Sequence, residues 1–144
     1  MKRKPGVSYR YHHMGIPTSE QRLGEHYSST FRMYTSGGED PGGFRIQFHR
    51  FDPGSSLHQM IQSTPHVAFQ VDDLEAAVAD EHLLLGPYEP FRGFRVAIIE
   101  EEGVPIELIE TTLSDDEVFG EPKDNSVIYP EETVPRSAQE VIRS

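Results

Sequence analysis

The chain has 144 residues, 35% of them hydrophobic and 26% charged, the size and composition of one globular domain able to bury a core. Thirteen Lys and Arg against 24 Asp and Glu leave a net charge of −11, the wrong sign for a partner that is nucleic acid or an anionic membrane surface. The absence of cysteine removes disulfides, thiolate metal sites and cysteine nucleophiles together, and fits a cytoplasmic location.

No stretch reaches the ~18 apolar residues of a spanning helix. Residues 1–8 read as a lead whose basic start, Met1-Lys2-Arg3-Lys4-Pro5-Gly6, lacks the apolar region of a signal peptide. Short strands punctuated by Gly and Pro follow. They are expected at Tyr9–Ile16, Phe31–Thr35, Phe44–Phe51, Pro65–Val71, His82–Leu85, Phe94–Glu100 and Pro105–Thr111. One helix is well marked: Asp72 or Asp73 caps it, Leu74, Ala77 and Val78 give its apolar stripe, and it ends near Glu81. A weaker helical stretch, interrupted by Gly24, is expected over Ser19–Tyr27. Residues 113–144 form an acidic, proline-containing tail, with eight Asp and Glu against Lys123, Arg136 and Arg143. They read as a solvated arm, or as a strap across a partner subunit anchored by Phe119 or Val127-Ile128-Tyr129.

The halves of the domain resemble each other. Tyr11-His12-His13-Met14-Gly15-Ile16 and Thr64-Pro65-His66-Val67-Ala68-Phe69 are strands with a His near the start. Each half closes on a strand after a Gly, one carrying Gln47 and the other Glu107. Alternation puts His13 with Gly15, His66 with Ala68, Gln47 with His49 and Glu107 with Ile109. If a pseudo-twofold relates the halves, the four strands bring His13, Gln47, His66 and Glu107 to one point. Two imidazoles, a carboxylate and an amide carbonyl suit a divalent Mn, Fe, Co, Ni or Zn ion. Small residues beside both His leave room for a ligand.

The runs His13-Met14-Gly15-Ile16-Pro17, His66-Val67-Ala68-Phe69-Gln70-Val71-Asp72-Asp73-Leu74-Glu75-Ala76-Ala77 and Gly103-Val104-Pro105-Ile106-Glu107-Leu108-Ile109 resemble the vicinal oxygen chelate superfamily. That group holds glyoxalase I, methylmalonyl-CoA epimerase, extradiol dioxygenases, fosfomycin-resistance enzymes and bleomycin-binding proteins. The resemblance covers roughly residues 9–112. It implies an α+β fold of two tandem βαβββ modules, about 9–55 and 64–112, whose curled mixed sheet surrounds a metal or ligand pocket. It implies metal ligands His13 and Gln47 from the first module and His66 and Glu107 from the second, a small-molecule substrate, and a homodimer. A His/Gln/His/Glu set resembles that of methylmalonyl-CoA epimerase, whereas bacterial-type glyoxalase I is expected to have Glu where Gln47 stands. The chain departs from the pattern at Ser19–Thr30, short and polar where the family has a longer pocket-bordering helix. It also lacks an obvious Lys/Arg cluster for a coenzyme A tail or glutathione, although Arg45, Arg50, Arg92 and Arg95 lie on or near the expected sheet. The substrate therefore does not transfer.

With Gln47 neutral, the four ligands supply one negative charge and leave a strongly Lewis-acidic ion. The candidate catalytic bases are Glu107 and His49, the latter about 6.6 Å along the strand from Gln47 on the same face. His49 could instead replace Gln47 as a ligand, and a rotated last strand would turn Glu110 inward in place of Glu107. His12 should face away from His13. Tyr88, Phe94 and Arg95 are the expected substrate contacts, with hairpin packing the alternative for the aromatics. These readings favour metal-dependent isomerase, epimerase or lyase chemistry. The alternatives are an iron-dependent extradiol-type dioxygenase and a non-enzymatic, drug-sequestering binding protein.

Overall fold

The computed structural model describes residues 3–38, 42–114 and 117–118. Eight strands and two short helices follow one another as β1 (Tyr9–Pro17), β2 (His26–Ser28), β3 (Met33–Gly37), β4 (Ile46–Phe51), α1 (Gln59–Ser63), β5 (His66–Val71), α2 (Leu74–Val78), β6 (His82–Phe91), β7 (Phe94–Glu101) and β8 (Val104–Thr111). The strands form one mixed sheet in the order β2-β3-β4-β1-β5-β8-β7-β6. Pairing is parallel for β1 with β4 and for β5 with β8, and antiparallel across the central β1–β5 pair. The sheet is curled: Phe31, two residues before β3, meets Tyr88 of β6 with ring centroids 5.7 Å apart, although β3 and β6 lie near opposite ends of the strand order.

Period-two alternation divides the core. Phe94, Val96 and Ile98 of β7 face the concave cluster with Met33, Leu57, Ile61 and Ile109. The intervening Ala97 and Ile99 pack beneath α2, with Val71, Leu74, Ala77 and Leu108. A stretch of strand covered on both faces is apolar without a break, as Val96–Ile99 of β7 is. The α2 N-terminus is held as its sequence implies: Asp73 Oδ1 accepts from Ala76 N at 3.0 Å. Glu110 Oε1 accepts from Leu74 N at 2.8 Å.

Several boundaries differ from expectation. No helix forms over Ser19–Tyr27; bends and turns lead instead into β2. Gly24 has φ +75°, outside the helical region, and the buried Glu25 carboxylate accepts from Arg50 Nε and Nη2 at 2.9 and 2.8 Å. A tertiary ion pair thus outweighs a weak local propensity. Only the second half therefore has a helix between its first two strands. The strand expected over His82–Leu85 continues to Phe91, with register shifts along its pairing to β7. Helix α1 was absent from the expected elements; His58 caps it by accepting from Met60 N through Nδ1 at 3.0 Å. Leu113 packs near Gly93 and Val118 is buried in the concave cluster, so the start of the expected solvated tail is docked. Phe119 and Val127-Ile128-Tyr129 lie outside the described residues. No helix among the described residues is long and apolar enough to cross a membrane.

Candidate metal centre

The central strands meet in matching registers. Gly15 of β1 pairs with Gln47 of β4, and Ala68 of β5 pairs with Glu107 of β8. Each is two residues beyond a His, so His13 with Gln47 and His66 with Glu107 occupy corresponding places on two parallel pairs. Curling brings the four together, all buried.

His13 Nε2 lies 3.5 Å, and His66 Nε2 3.1 Å, from Glu107 Oε1. One ligand atom from each of these three residues falls within 4.8 Å of the others, close enough to hold a single ion. The His13 and His66 rings are nearly perpendicular, 5.6 Å between centroids. Among the described residues, neither His66 Nε2, despite its proximity to the carboxylate, nor the buried Gln47 Oε1 has a hydrogen-bond partner. A buried polar atom left unpaired is costly. These atoms are lone-pair donors beside a carboxylate, so the donor set fits a divalent ion with nitrogen and oxygen preference.

Space for the His66 ring depends on Gly15. The two residues are directly paired across β1 and β5, and a Cβ on Gly15 would fall on the imidazole. The adjacent cavity has a volume of about 40 Å³, a little more than the ~30 Å³ share of one water molecule. Gln47, His49, His66, Tyr88 and Glu107 contribute its polar wall, while Phe31, Met33, Phe51, Leu57, Ile61, Leu85 and Ile98 make the remainder apolar. None of these residues is Lys or Arg.

His49 is stacked on His66, 5.5 Å between centroids. Its Nδ1 lies 3.0 Å from Thr35 Oγ1, while its buried Nε2 has no partner among the described residues. Burial first, then the neighbouring His66 and His13, push its pKa down to about 3, leaving a neutral ring. Burial would raise the Glu107 carboxyl, but the neighbouring His13 and His66 imidazoles hold it well below the ordinary range. Burial, aided by the Glu107 charge, pushes the Tyr88 hydroxyl well above its usual value, so it stays protonated as a donor.

A pH dependence follows for protein kept metal-free with chelator. The unfolded chain binds a proton on His49 below about pH 6.5, whereas the folded chain resists it until about 3. Stability should therefore be complete above 6.5 and fall with acidification through that window, by up to a few kcal/mol. Urea unfolding at pH 7.5 and 5 measures the slope, and His49→Phe should flatten it; an unchanged slope would assign the effect to other groups.

Two of the expected substrate contacts lie away from the cavity. Phe94 is fully buried behind it, stacked on Phe91 at 4.7 Å and edge-on to His12 at 6.2 Å. Arg95 alternates to the convex face, where Nη2 donates to Glu75 Oε1 at 2.9 Å. Glu110 is also on that face, engaged with α2. Sequence alternation misplaced His12. The β1–β5 register passes from Tyr11↔Phe69 to His13↔Ala68, a bulge that inserts His12 and turns it inward, where it is buried with Nδ1 2.8 Å from His13 Nδ1. Thr35, Leu57 and the α1 residue Ile61 were also unmarked, because only the long-range fold carries them here.

No protein-family model matches the chain, and no curated protein matches it.

Proposed function

We propose that this chain is a divalent-metal-dependent enzyme of the vicinal oxygen chelate type, acting on a small oxygenated molecule by isomerase, epimerase or lyase-type proton transfer. The carrying observation is the convergence of His13, His66 and Glu107, with ligand atoms within 4.8 Å in a buried pocket. The corresponding registers of Gly15–Gln47 and Ala68–Glu107 support descent of the halves from one module, with the first helix replaced by turns.

In this reading His13 and His66 bind through Nε2, Glu107 through Oε1 and Gln47 through Oε1. When bound, the ion supplies Lewis-acid stabilisation of substrate oxygens. Neutral His49 offers a proton acceptor beside the pocket, oriented by Thr35, and protonated Tyr88 offers a hydrogen bond to a substrate oxygen. The apolar walls exclude water, and the lack of a lining cation favours substrates whose only charged or polar part is the portion to be chelated. The same reading implies a homodimer.

The two-His, one-carboxylate trio favours a second reading, an iron-dependent extradiol-type dioxygenase. Elemental mass spectrometry of protein purified without a His tag, beside His66→Ala, tests the site. Near-stoichiometric metal lost in the variant supports it, and oxygen consumption with catechols, as against oxygen-independent proton exchange, separates the two chemistries. Protein that neither carries nor takes up Mn, Fe, Co, Ni or Zn would overturn both and favour a binding module.

A further inference from the structure

An imidazole can bind a metal through one nitrogen only when that nitrogen carries no proton, and the bond made by the other nitrogen decides which one that is. His13 directs Nε2 toward Glu107, 3.5 Å away. Its Nδ1 points the opposite way, 2.8 Å from Nδ1 of His12. Two ring nitrogens at that distance share one proton, one donating and the other accepting.

His12 reaches this position through a local departure from the sheet. Regular pairing would send it to the convex face. The bulge between Tyr11 and His13 instead sets two residues against one on β5, and both His12 and His13 are buried. Phe94, itself fully buried, meets the His12 ring edge-on at 6.2 Å and limits its rotation. Burying a second polar ring and interrupting the ladder both have a cost, and a contact made there is the one to the far side of His13.

We propose that His12 is a positioning residue for His13: bare Nδ1 of His12 accepts Nδ1–H of His13, leaving His13 Nε2 unprotonated and aimed at the site. This inference rests on the metal-centre reading above. The outward partner of a metal-bound His is ordinarily a carboxylate, carbonyl or water; here a second imidazole takes that place, made available by one inserted residue.

The test uses the whole chain and Zn²⁺. Isothermal titration should give His12→Phe, which keeps a ring against Phe94 but cannot accept a hydrogen bond, a Zn²⁺ affinity roughly 10–100-fold below wild type. His12→Asn, whose Oδ1 can accept in place of Nδ1, should recover most of the loss. Long-range ¹H–¹⁵N NMR of the Zn²⁺-loaded wild type should place the His13 proton on Nδ1 and leave His12 Nδ1 bare. This spectrum does not depend on whether a variant folds. Wild-type affinity in folded His12→Phe, or a proton on His12 Nδ1 pointing at His13, overturns the proposal while leaving the metal centre standing. Wild-type protein that binds no Zn²⁺, Mn²⁺ or Co²⁺ overturns both.

Discussion

A Glu107→Gln protein is expected to keep its fold and lose divalent-metal affinity by ~100-fold or more, beyond the 10–100-fold typical of losing an outer partner alone. The substitution preserves side-chain size and one carbonyl oxygen, so packing beside Ile98 and Tyr88 in the cavity wall is retained. What disappears is the anion toward which His13 and His66 both point, and the ligand set falls from one negative charge to none. Titration calorimetry with Mn²⁺ or Zn²⁺ reads the loss, and circular dichroism confirms the fold. Wild-type affinity in this variant would remove Glu107 from the site, and with it the reading built on the trio.

Gly15→Ala tests the same centre through packing alone. The added Cβ would occupy the position of the His66 ring, so either the imidazole swings away or β1 and β5 part. Overpacking of this kind costs about 1–3 kcal/mol, and metal affinity should fall sharply because His66 leaves its place. The double variant Gly15→Ala with His66→Ala discriminates between causes. Removing the ring removes the collision, so the double variant should be more stable to urea than Gly15→Ala by a measurable coupling. Simple additivity would place the strain elsewhere. The corresponding position beside His13 already carries a Cβ, in Ala68, which pairs with His13 and is fully buried. The two halves thus make room for their histidines differently.

Much of this architecture was legible because its signals are local and periodic. Strands alternate apolar residues between turn glycines, and β7 carries an unbroken apolar run that calls for cover on both faces. The α2 boundaries follow from Asp73 and the Leu74–Val78 stripe. Alternation also placed Gln47 with His49, and it separated Glu107 from Glu110 only once the direction of β8 was known. The repeated strand–His pattern made a convergence of His13, Gln47, His66 and Glu107 worth expecting, since corresponding positions on related strands meet if the sheet curls.

Tertiary structure decided the rest, for reasons that no window of sequence contains. A polar segment with weak helical tendency became turns because the buried Glu25 found a partner in Arg50, 25 residues away. Arg95 and Phe94 are neighbours in sequence, yet the pleat sends one to solvent beside Glu75 and buries the other behind the cavity. His12 depended on a bulge, and a bulge is a mismatch between two strands that neither strand records alone. The sequence by itself determined the composition of the site, two imidazoles, an amide and a carboxylate on strands of matching pattern. Only the curled sheet decided their mutual distances, the Gly15 opening for His66 and the second imidazole behind His13, because each depends on the register between β1 and β5.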